Sequence, residues 1–245
     1  MKKNNSRNWE EFALIDPMWS IITDKKKKYG QWQRKDFFLS GENEINNFFK
    51  RLSDLNININ WETVLDHGCG LGRLSRALKN RFNCVEAVDA SSEMIKQAKD
   101  LNLDQKINFF YLPVSNLSIF ENNHFDLIYS SLTLQHIKNK EEIKEVIREF
   151  ERITKPGGII FFQLPAAQSF SKVKEIVLKF RSLIYFLLIG LGLSRKFVYQ
   201  NMKLAPFMHM SHLSSSIVKK AMLNCRLVEI ACENSLATNY LFVKF

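Results

Sequence analysis

Three glycines at alternate positions, Gly68, Gly70 and Gly72, follow an apolar run that ends in Asp66, in the stretch "VLDHGCGLGRL". A glycine turn after a strand lets the backbone approach a ligand without interference from Cβ atoms. Such a turn can hold a pyrophosphate, a nucleoside triphosphate or an adenosyl group. Each of these ligands requires different neighbouring residues, so the residues around the glycines discriminate between the three.

The residues after the glycines disfavour two of these ligands. A P-loop ends in Gly-Lys-Ser/Thr, whose lysine reaches the phosphates, whereas Arg73 and Leu74 follow the last glycine here. A dinucleotide site requires the spacing G-x-G-x-x-G, and the position of its third glycine is occupied by Arg73. The observed spacing is G-x-G-x-G, which matches neither of these two patterns.

An acidic residue stands where a ribose is bound in nucleotide-binding folds. The next strand-like run ends in "AVDA", which places Asp89 about 20 residues after the first glycine. Its carboxylate can accept hydrogen bonds from both ribose hydroxyls. The helix that begins near Arg73 directs its first N–H groups at the same region, where they can bind a carboxylate.

Strand-like and helix-like runs alternate from residue 59 onward and must position these side chains. The strand-like runs are "TVLD", "CVEAVDA", "INFFYL", "FDLIYSS" and "IIFFQLP". Alternation of this kind predicts βαβ units and a parallel sheet. After them, "SSSIVKKAMLNC" predicts a helix, and "RLVEIAC" and "NYLFVKF" predict two closing strands.

The helix predicted over 140–154 has the clearest pattern. Its apolar residues recur at helical spacing on one face, at Ile143, Val146, Ile147, Phe150 and Ile153. Asn139, followed by Glu142, is a start signal that resembles a capping box. The run "KPGG" at 155–158 ends the helix, because proline cannot continue it and glycine permits a turn.

Two further segments flank or interrupt this alternation. Residues 1–50 are polar and aromatic and predict helices that lie over the core, and residues 166–212 hold a helical, strongly apolar stretch. We therefore expect an N-terminal helical lid at 1–58 and one α/β domain at 59–245 that contains the insertion 166–212.

At these residues the chain resembles the class I S-adenosylmethionine-dependent methyltransferases. "LDHGCGLG" and "AVDASSEMI" resemble the first two motifs of that family, "FDLIYSSLTLQHI" the fourth-strand motif of its small-molecule branch, and "ITKPGGIIFFQLP" the fifth-strand motif. The opening segment resembles the lid of some bacterial members. The resemblance implies a Rossmann-like, mostly parallel seven-stranded sheet flanked by helices, with a helical lid and a helical insertion before the last strands.

The resemblance also implies a function. It implies S-adenosyl-L-methionine as cofactor and methyl transfer to a small-molecule, sugar or lipid-linked acceptor by in-line displacement. The alternatives are an RNA methyltransferase and a non-catalytic S-adenosylmethionine-binding partner protein. Nucleic acid is the less favoured partner, because "SSLTLQH" stands where base-modifying members carry Asn/Asp-Pro-Pro-aromatic.

The implied cofactor-binding residues lie in and around the first two motifs and after later strands. They are Asp66, Gly68, Cys69, Gly70, Gly72, Asp89, Ala90, Met94, Ser115 and Ser130. Several have a structural alternative. Asp66 either braces the loop or reaches the methionine moiety through water, Cys69 is a small packing residue in the loop, and Met94 either packs in the core or flanks the adenine.

One departure from the family concerns adenine. Many members place an acid after the third strand, where this chain has Pro113 and Val114. Adenine contact is therefore expected from backbone groups and from Ser115 or Asn116.

His136 is the candidate catalytic residue. It follows the fourth strand, where the acceptor approaches the methyl group in this family, and a histidine there can remove a proton because its pKa lies near neutrality. The alternative is a histidine that lines the site and holds its loop. His209 and His212 could serve the same role, and no metal site is expected because no third ligand accompanies them.

Composition limits the class of protein further. The chain has 245 residues, 46% of them hydrophobic, a net charge of +10 and a pI near 9.4. This balance permits contact with phosphates, nucleic acid or anionic membranes without establishing any of them. The four cysteines form no CxxC pair, and no apolar stretch follows the basic N-terminus. Both features favour a cytoplasmic protein.

The stretch 172–197 has an apolar centre between basic flanks and admits two interpretations. In the first it is a helical lid that walls the acceptor pocket. In the second, residues 176–197 lie peripherally on a membrane, with lysines and arginines meeting anionic headgroups. The apolar run at 183–193 is too short to span a bilayer, which takes about 20 residues.

Overall fold

The computed structural model describes residues 3–112, 116–165, 172–234 and 237–245. The described residues form one seven-stranded sheet in the order β3-β2-β1-β4-β5-β7-β6. The strands are β1 (Thr63–His67), β2 (Cys84–Asp89), β3 (Asn108–Tyr111), β4 (Phe125–Ser130), β5 (Thr154–Gln163), β6 (Cys225–Asn234) and β7 (Ala237–Lys244). The first five strands are parallel and β7 is antiparallel to both neighbours, which confirms the mostly parallel sheet.

Helices precede the sheet, connect its strands and fill the insertion. They are α1 (Lys3–Ile15), α2 (Pro17–Ile21), α3 (Arg34–Asp54), α4 (Arg73–Lys79), α5 (Ser92–Leu101), α6 (Lys140–Ile153), α7 (Lys172–Gly190), α8 (Arg195–Gln200) and α9 (Ser215–Ala221). The alternation predicted from residue 59 onward and the predicted helix before the closing strands are confirmed.

The central strands are buried on both faces, as parallel strands covered by helices must be. All six residues of β4 are buried. Leu127 and Tyr129 face a cluster that includes residues of α3 and α4, whereas Ile128 faces a cluster that includes residues of α6 and α9. The sheet therefore has two separate hydrophobic layers, one on each side.

Helix α6 follows its prediction closely. All five predicted apolar positions are buried. The Asn139 side chain accepts a hydrogen bond from the backbone N–H of Glu141 at 3.0 Å, so the cap closes on Glu141 rather than on Glu142. The helix ends at Ile153, before Pro156, and the chain enters β5 directly.

The N-terminal helices contact the α/β core in two ways. Helix α3 covers one face of the sheet, where Ile45, Phe48 and Leu52 share a buried cluster with strand residues. Helices α1 and α2 lie near the glycine turn, and Ile21 of α2 contacts the turn at Gly70. The division between a lid at 1–58 and a domain at 59–245 stays a prediction, while α3 shares its core with the sheet.

The helical insertion packs against α1 rather than standing apart. Glu11 of α1 accepts hydrogen bonds from the Tyr185 hydroxyl at 3.0 Å and from Nε of Arg195 at 2.8 Å. Asp16 accepts one from the Tyr199 hydroxyl at 2.9 Å. Within the described ranges, no helix combines the length and the apolar character that crossing a bilayer requires.

The docking of α3 on α4 depends on Gly41. A Cβ atom at this position would lie 2.5 Å from the carbonyl oxygen of Arg73 and 2.8 Å from its Cγ. Alanine in a helix interior is otherwise favoured over glycine by about 1 kcal/mol. We expect Gly41→Ala to lower the free energy of unfolding by about 1–3 kcal/mol, because a backbone oxygen cannot move aside without displacing the helix.

Urea denaturation followed by circular dichroism measures this effect. Gly190→Ala in α7 is the matched control, because a Cβ there meets no atom within 4 Å, and it should leave stability unchanged or raise it. Equal gains in stability for the two variants would contradict the close approach of α3 to Arg73.

Candidate functional site

The predicted site residues converge at the point where the sheet changes direction. Strand β1 is hydrogen-bonded to β2 on one side and to β4 on the other, so the strands that follow it in the chain run outward in opposite directions. Such a reversal opens a crevice at the carboxyl ends of the strands. The turn that holds Gly68–Gly72 leaves β1 at this end, and Asp89 ends β2 beside it.

The carboxylate of Asp89 is held by backbone donors. The N–H of Gly70 donates to Oδ2 at 2.9 Å, and the N–H of Ser91 donates to Oδ1 at 2.9 Å. Burial raises the pKa of Asp89 to about 6, and these two donors oppose that rise. The side chain therefore joins the glycine turn to the end of β2 and remains ionised at neutral pH.

The glycines have left-handed backbone conformations, with φ of 78°, 53° and 77° for Gly68, Gly70 and Gly72. A Cβ at Gly68 would lie 2.1 Å from Oγ1 of Thr133, and one at Gly70 would lie 2.6 Å from Cδ1 of Ile21. The turn is therefore closely covered by the loop after β4 and by α2. Side chains at these two positions would collide with that cover.

Asp66 is fully buried and braces the turn. The hydroxyl of Ser75 in α4 donates to its Oδ2 at 2.5 Å, and burial raises its pKa to about 7. The first residue of α4, Arg73, forms a 2.7 Å ion pair with Glu44 of α3. Of the two roles expected for Asp66, these contacts support the bracing role.

Cys69 and Met94 have packing environments. Cys69 lies in a buried cluster between β2, β3 and α5, and burial raises the pKa of its thiol well above the ordinary value. Met94 lies in a cluster with Leu71 and the N-terminal aromatic residues Phe37 and Phe38. Met94 is thus beside the glycine turn, and the packing observed accounts for its burial.

The remaining predicted residues lie at different places. Ala90 directly follows Asp89 at the mouth of the crevice and is half-buried. The Ser130 hydroxyl is buried and donates to the carbonyl of His67 at 3.1 Å. Ser115 lies outside the described residues. Within the described residues, no group of three His, Cys, Asp or Glu side chains has a geometry that could hold a metal ion.

Helix α1 contributes residues that the sequence did not reveal as part of this region. The carboxylate of Glu10 accepts hydrogen bonds from the backbone N–H groups of Ser92 at 2.6 Å and Glu93 at 3.0 Å, at the start of α5. The Trp9 ring contacts the His136 ring edge-on, with centroids 4.9 Å apart. Helix α1 thus extends from the end of β2 to the loop after β4.

His136 is buried on the loop after β4, and both of its ring nitrogens have hydrogen-bonding partners. Its Nδ1 lies 2.7 Å from the carbonyl oxygen of His209, which identifies Nδ1 as the donor, and its Nε2 lies 3.3 Å from the side-chain amide nitrogen of Gln135. Burial lowers the pKa of His136 to about 4, so the ring is neutral at physiological pH.

Two further hydrogen bonds join the same segments. The N–H of Ser211 donates to the carbonyl of Gln135 at 2.6 Å, and its hydroxyl donates to the carbonyl of Ile137 at 2.6 Å. These contacts support the interpretation that His136 holds its loop in place. His212 is half-buried and, like His209, has its pKa lowered by burial.

Comparison with known proteins agrees with this architecture. Residues 65–162 match the family model of a methyltransferase domain. A malonyl-[acyl-carrier protein] O-methyltransferase from Hamiltonella defensa is 33% identical over 132 residues, which are 51% of this chain and 49% of that protein. A ubiquinone biosynthesis O-methyltransferase from Pseudomonas fluorescens is 31% identical over 126 residues, 46% of this chain and 53% of that protein. The chain thus spans about half the length of the curated relatives it matches.

A solved structure extends the likeness in fold to the whole chain. The N-methyltransferase NodS from Bradyrhizobium japonicum WM9, solved with S-adenosyl-L-homocysteine, covers 99% of both chains with a TM-score of 0.60 at 14% identity. At this identity the likeness concerns the fold. Residues 65–162 therefore resemble a methyltransferase domain, and the chain as a whole shares the fold of this solved methyltransferase.

Proposed function

We propose that the protein is an S-adenosylmethionine-dependent methyltransferase that acts on a small-molecule acceptor. The observation that carries this proposal is the geometry at Asp89. Its two carboxylate oxygens are each aligned by one backbone N–H, beside a glycine turn, at the switch point of the sheet. An ionised carboxylate oxygen can accept more than one hydrogen bond, so both oxygens retain capacity for ribose hydroxyls.

The residues present fit the cofactor. Asp89 would bind the ribose, the backbone at Gly68 and Gly70 would approach the amino-acid portion, and Ala90 and Met94 would lie beside the adenine. S-adenosylmethionine, when bound, supplies an activated methyl group for in-line displacement. The contribution of this chain is to hold the reacting groups in line and to exclude water.

Helix α1 is well placed for that second task. Its Trp9 and Glu10 cover the crevice between the ends of β2 and β4, and Ile21 of α2 covers the glycine turn. These ring, side-chain and hydrogen-bond contacts shield the crevice from solvent. The N-terminal segment therefore acts as the lid of the site in this proposal.

The acceptor is proposed as a small molecule, a sugar or a lipid-linked intermediate. The matched relatives support this class. One is named as an O-methyltransferase of malonyl-[acyl-carrier protein], and the other as an O-methyltransferase of ubiquinone biosynthesis. The acceptor would approach near His136, between Trp9 and the 207–211 segment. His136 is proposed as a positioning residue that keeps this wall in place.

Binding and transfer are tested separately. Calorimetry with S-adenosylmethionine measures the site, and transfer of a labelled methyl group to fractionated small molecules, lipids and RNA from cells identifies the acceptor class. Label in the small-molecule or lipid fraction supports the proposal. Label confined to RNA would favour a nucleic-acid methyltransferase, and binding without transfer to any fraction would favour a non-catalytic partner protein.

Removal of the Asp89 carboxylate should weaken cofactor binding. We expect Asp89→Ala to cost about 1.5–3 kcal/mol of binding free energy, the range for hydrogen bonds to a charged group. Glu86→Ala on the same strand is the matched control, because Glu86 pairs with His124 at 3.5 Å and not with the turn. Unchanged affinity in folded Asp89→Ala, measured by calorimetry, would remove Asp89 from the site.

A branched side chain in the turn should prevent binding. The valine side chain of Gly70→Val would collide with Ile21 and occupy the space proposed for the ligand. It would also have to adopt a left-handed backbone conformation with φ near 53°. We expect no measurable cofactor binding in calorimetry, with a folded circular dichroism spectrum. Normal affinity would show that the ligand does not approach this turn.

Cofactor affinity should decrease at acidic pH. The pKa of Asp89 is raised to about 6 by burial, and only its ionised form accepts hydrogen bonds with both oxygens. Below this pKa the dissociation constant should rise by up to about tenfold per pH unit, because protonation competes with the ligand. Calorimetry from about pH 5 to about pH 8, which runs from about one unit below this pKa to about two units above it, checks this. Asp89→Asn should bind weakly with little pH dependence, and an identical profile in that variant would assign the titration to another group.

Two substitutions distinguish a positioning role of His136 from a general-base role. His136→Asn keeps a side-chain N–H that can donate to the carbonyl of His209, whereas His136→Ala removes it. For a positioning residue we expect Asn to retain most of the turnover and Ala to raise the acceptor KM. A loss of about 10²-fold in kcat for both variants, the size typical of general-base removal, would instead identify His136 as the base.

A further inference from the structure

Helix α7 has two apolar faces, and only one of them is covered. The inner face carries Ser182 and Tyr185, which are buried against α1, α8 and the 204–207 segment. The outer face carries a stripe of large apolar side chains that are 51% to 72% exposed. This outer stripe consists of Val173, Ile176, Val177, Phe180, Leu183 and Leu187, and Leu191 continues it directly after the helix.

Basic side chains border the outer stripe on both sides. At 100° per residue the stripe occupies about 120° of the helix circumference, on the side opposite to Ser182 and Tyr185. Lys172 and Lys179 fall along one edge of the stripe, and Lys174 and Arg181 fall along the other. All four are exposed. The one acidic residue of the helix, Glu175, lies toward the inner face and is paired with Lys179 at 2.6 Å.

Further cations lie next to Arg181. Lys28 is half-buried, with its ammonium group 4.6 Å from the ring centroid of Trp19. Burial and the nearby charges of Arg181 and Lys203 lower the pKa of Lys28, while Asp16 opposes that effect. Converging cations of this kind repel one another, and an anionic group near them would relieve the repulsion.

We propose that the outer stripe docks on an anionic lipid bilayer surface, with its apolar side chains at the boundary between headgroups and acyl chains. Among the described helices none combines the length and the apolar character of a span, and the first half of α7 carries several charged residues, so the proposal places the helix in the plane of the interface. Its edge cations meet lipid phosphates on both sides, and the overall charge of +10 adds long-range attraction.

The charges at the edges of the outer stripe favour an anionic bilayer over a second copy of the chain as its partner. Two stripes that met face to face would gather Lys172, Lys174, Lys179 and Arg181 of both copies at one interface, while the acidic residue of each helix, Glu175, lies toward the inner face. Like charges at an interface disfavour association. An anionic bilayer satisfies the apolar stripe and both basic edges at once.

The stripe residues are not among the candidate site residues, so the docking surface stands apart from the proposed methyl transfer. Flotation with phosphatidylcholine vesicles, with and without phosphatidylglycerol, tests it on the full chain. We expect the protein to float with vesicles that contain phosphatidylglycerol at low salt, and to bind them less at high salt as the charges are screened. Protein that stays in the soluble fraction with anionic vesicles at low salt overturns the proposal.

The apolar contribution is tested with Leu183→Asp combined with Leu187→Asp. The partition coefficient should fall by about tenfold or more, because two side chains no longer enter the apolar region. The matched control is Leu103→Asp combined with Leu223→Asp, which introduces the same two charges at positions that are each 80% exposed. Equal losses in the two double variants would show that added negative charge alone explains the effect and would overturn the role of the stripe.

The basic edges are tested with Lys172→Gln combined with Lys174→Gln, against Lys219→Gln combined with Lys220→Gln in α9. Both pairs remove the same charge, and only the first pair should lower binding to anionic vesicles by about tenfold. Equal loss in both pairs would assign the binding to net charge rather than to this surface. Light scattering without vesicles provides the last check, because a dimer that Leu183→Asp with Leu187→Asp dissociates would identify a second copy as the occupant and overturn the proposal.

Discussion

The carboxylate of Asp89 is the constraint on which the candidate site depends. It accepts hydrogen bonds from Gly70, in the turn after β1, and from Ser91, at the start of α5. These two bonds fix the turn against the end of the neighbouring strand. Because the group is ionised and poorly solvated, its donors must stay in place, so they restrict the glycine turn to one conformation.

Two further buried carboxylates connect the parts of the chain that lie over this site. Glu11 and Asp16 come from α1 and the start of α2, and their partners Tyr185, Arg195 and Tyr199 come from the insertion. Buried charges require such partners, and removal of either side leaves a costly unpaired group. The N-terminal segment and the insertion, far apart in sequence, therefore form one continuous cover.

This cover gives the insertion its two faces. The inner face of α7 packs against α1. Its Ser182 also accepts a hydrogen bond from Phe207, in the same segment whose His209 carbonyl binds His136. The outer face retains its apolar side chains in solvent, bordered by cations. A helix that is apolar on both sides is expected in a protein interior or at a membrane interface, and α7 is buried on one side only.

Local patterns determined most of the fold. The strand runs of buried apolar residues, the helical spacing in α6 and its Asn139 cap are each written in consecutive residues and were found where the sequence predicted them. The helix ends before Pro156 as predicted, but β5 already begins at Thr154 and includes the run 155–158. The glycine turn and Asp89 were also predictable. Each follows from a short local pattern, namely spaced glycines directly after one strand and an acidic residue at the end of the next strand.

Tertiary structure alone decided which of these residues share a contact. Nothing near Glu10 or Trp9 indicated that they would reach α5 and His136, since those partners lie 82 to 127 positions away in the chain. The bond from Ser75 to Asp66 and the exposed stripe of α7 were decided in the same way, whereas packing roles for Met94 and Cys69 were among the alternatives that the sequence allowed. Sequence periodicity records which residues avoid water, whereas the identity of the surface that covers them follows only from how the helices dock in three dimensions.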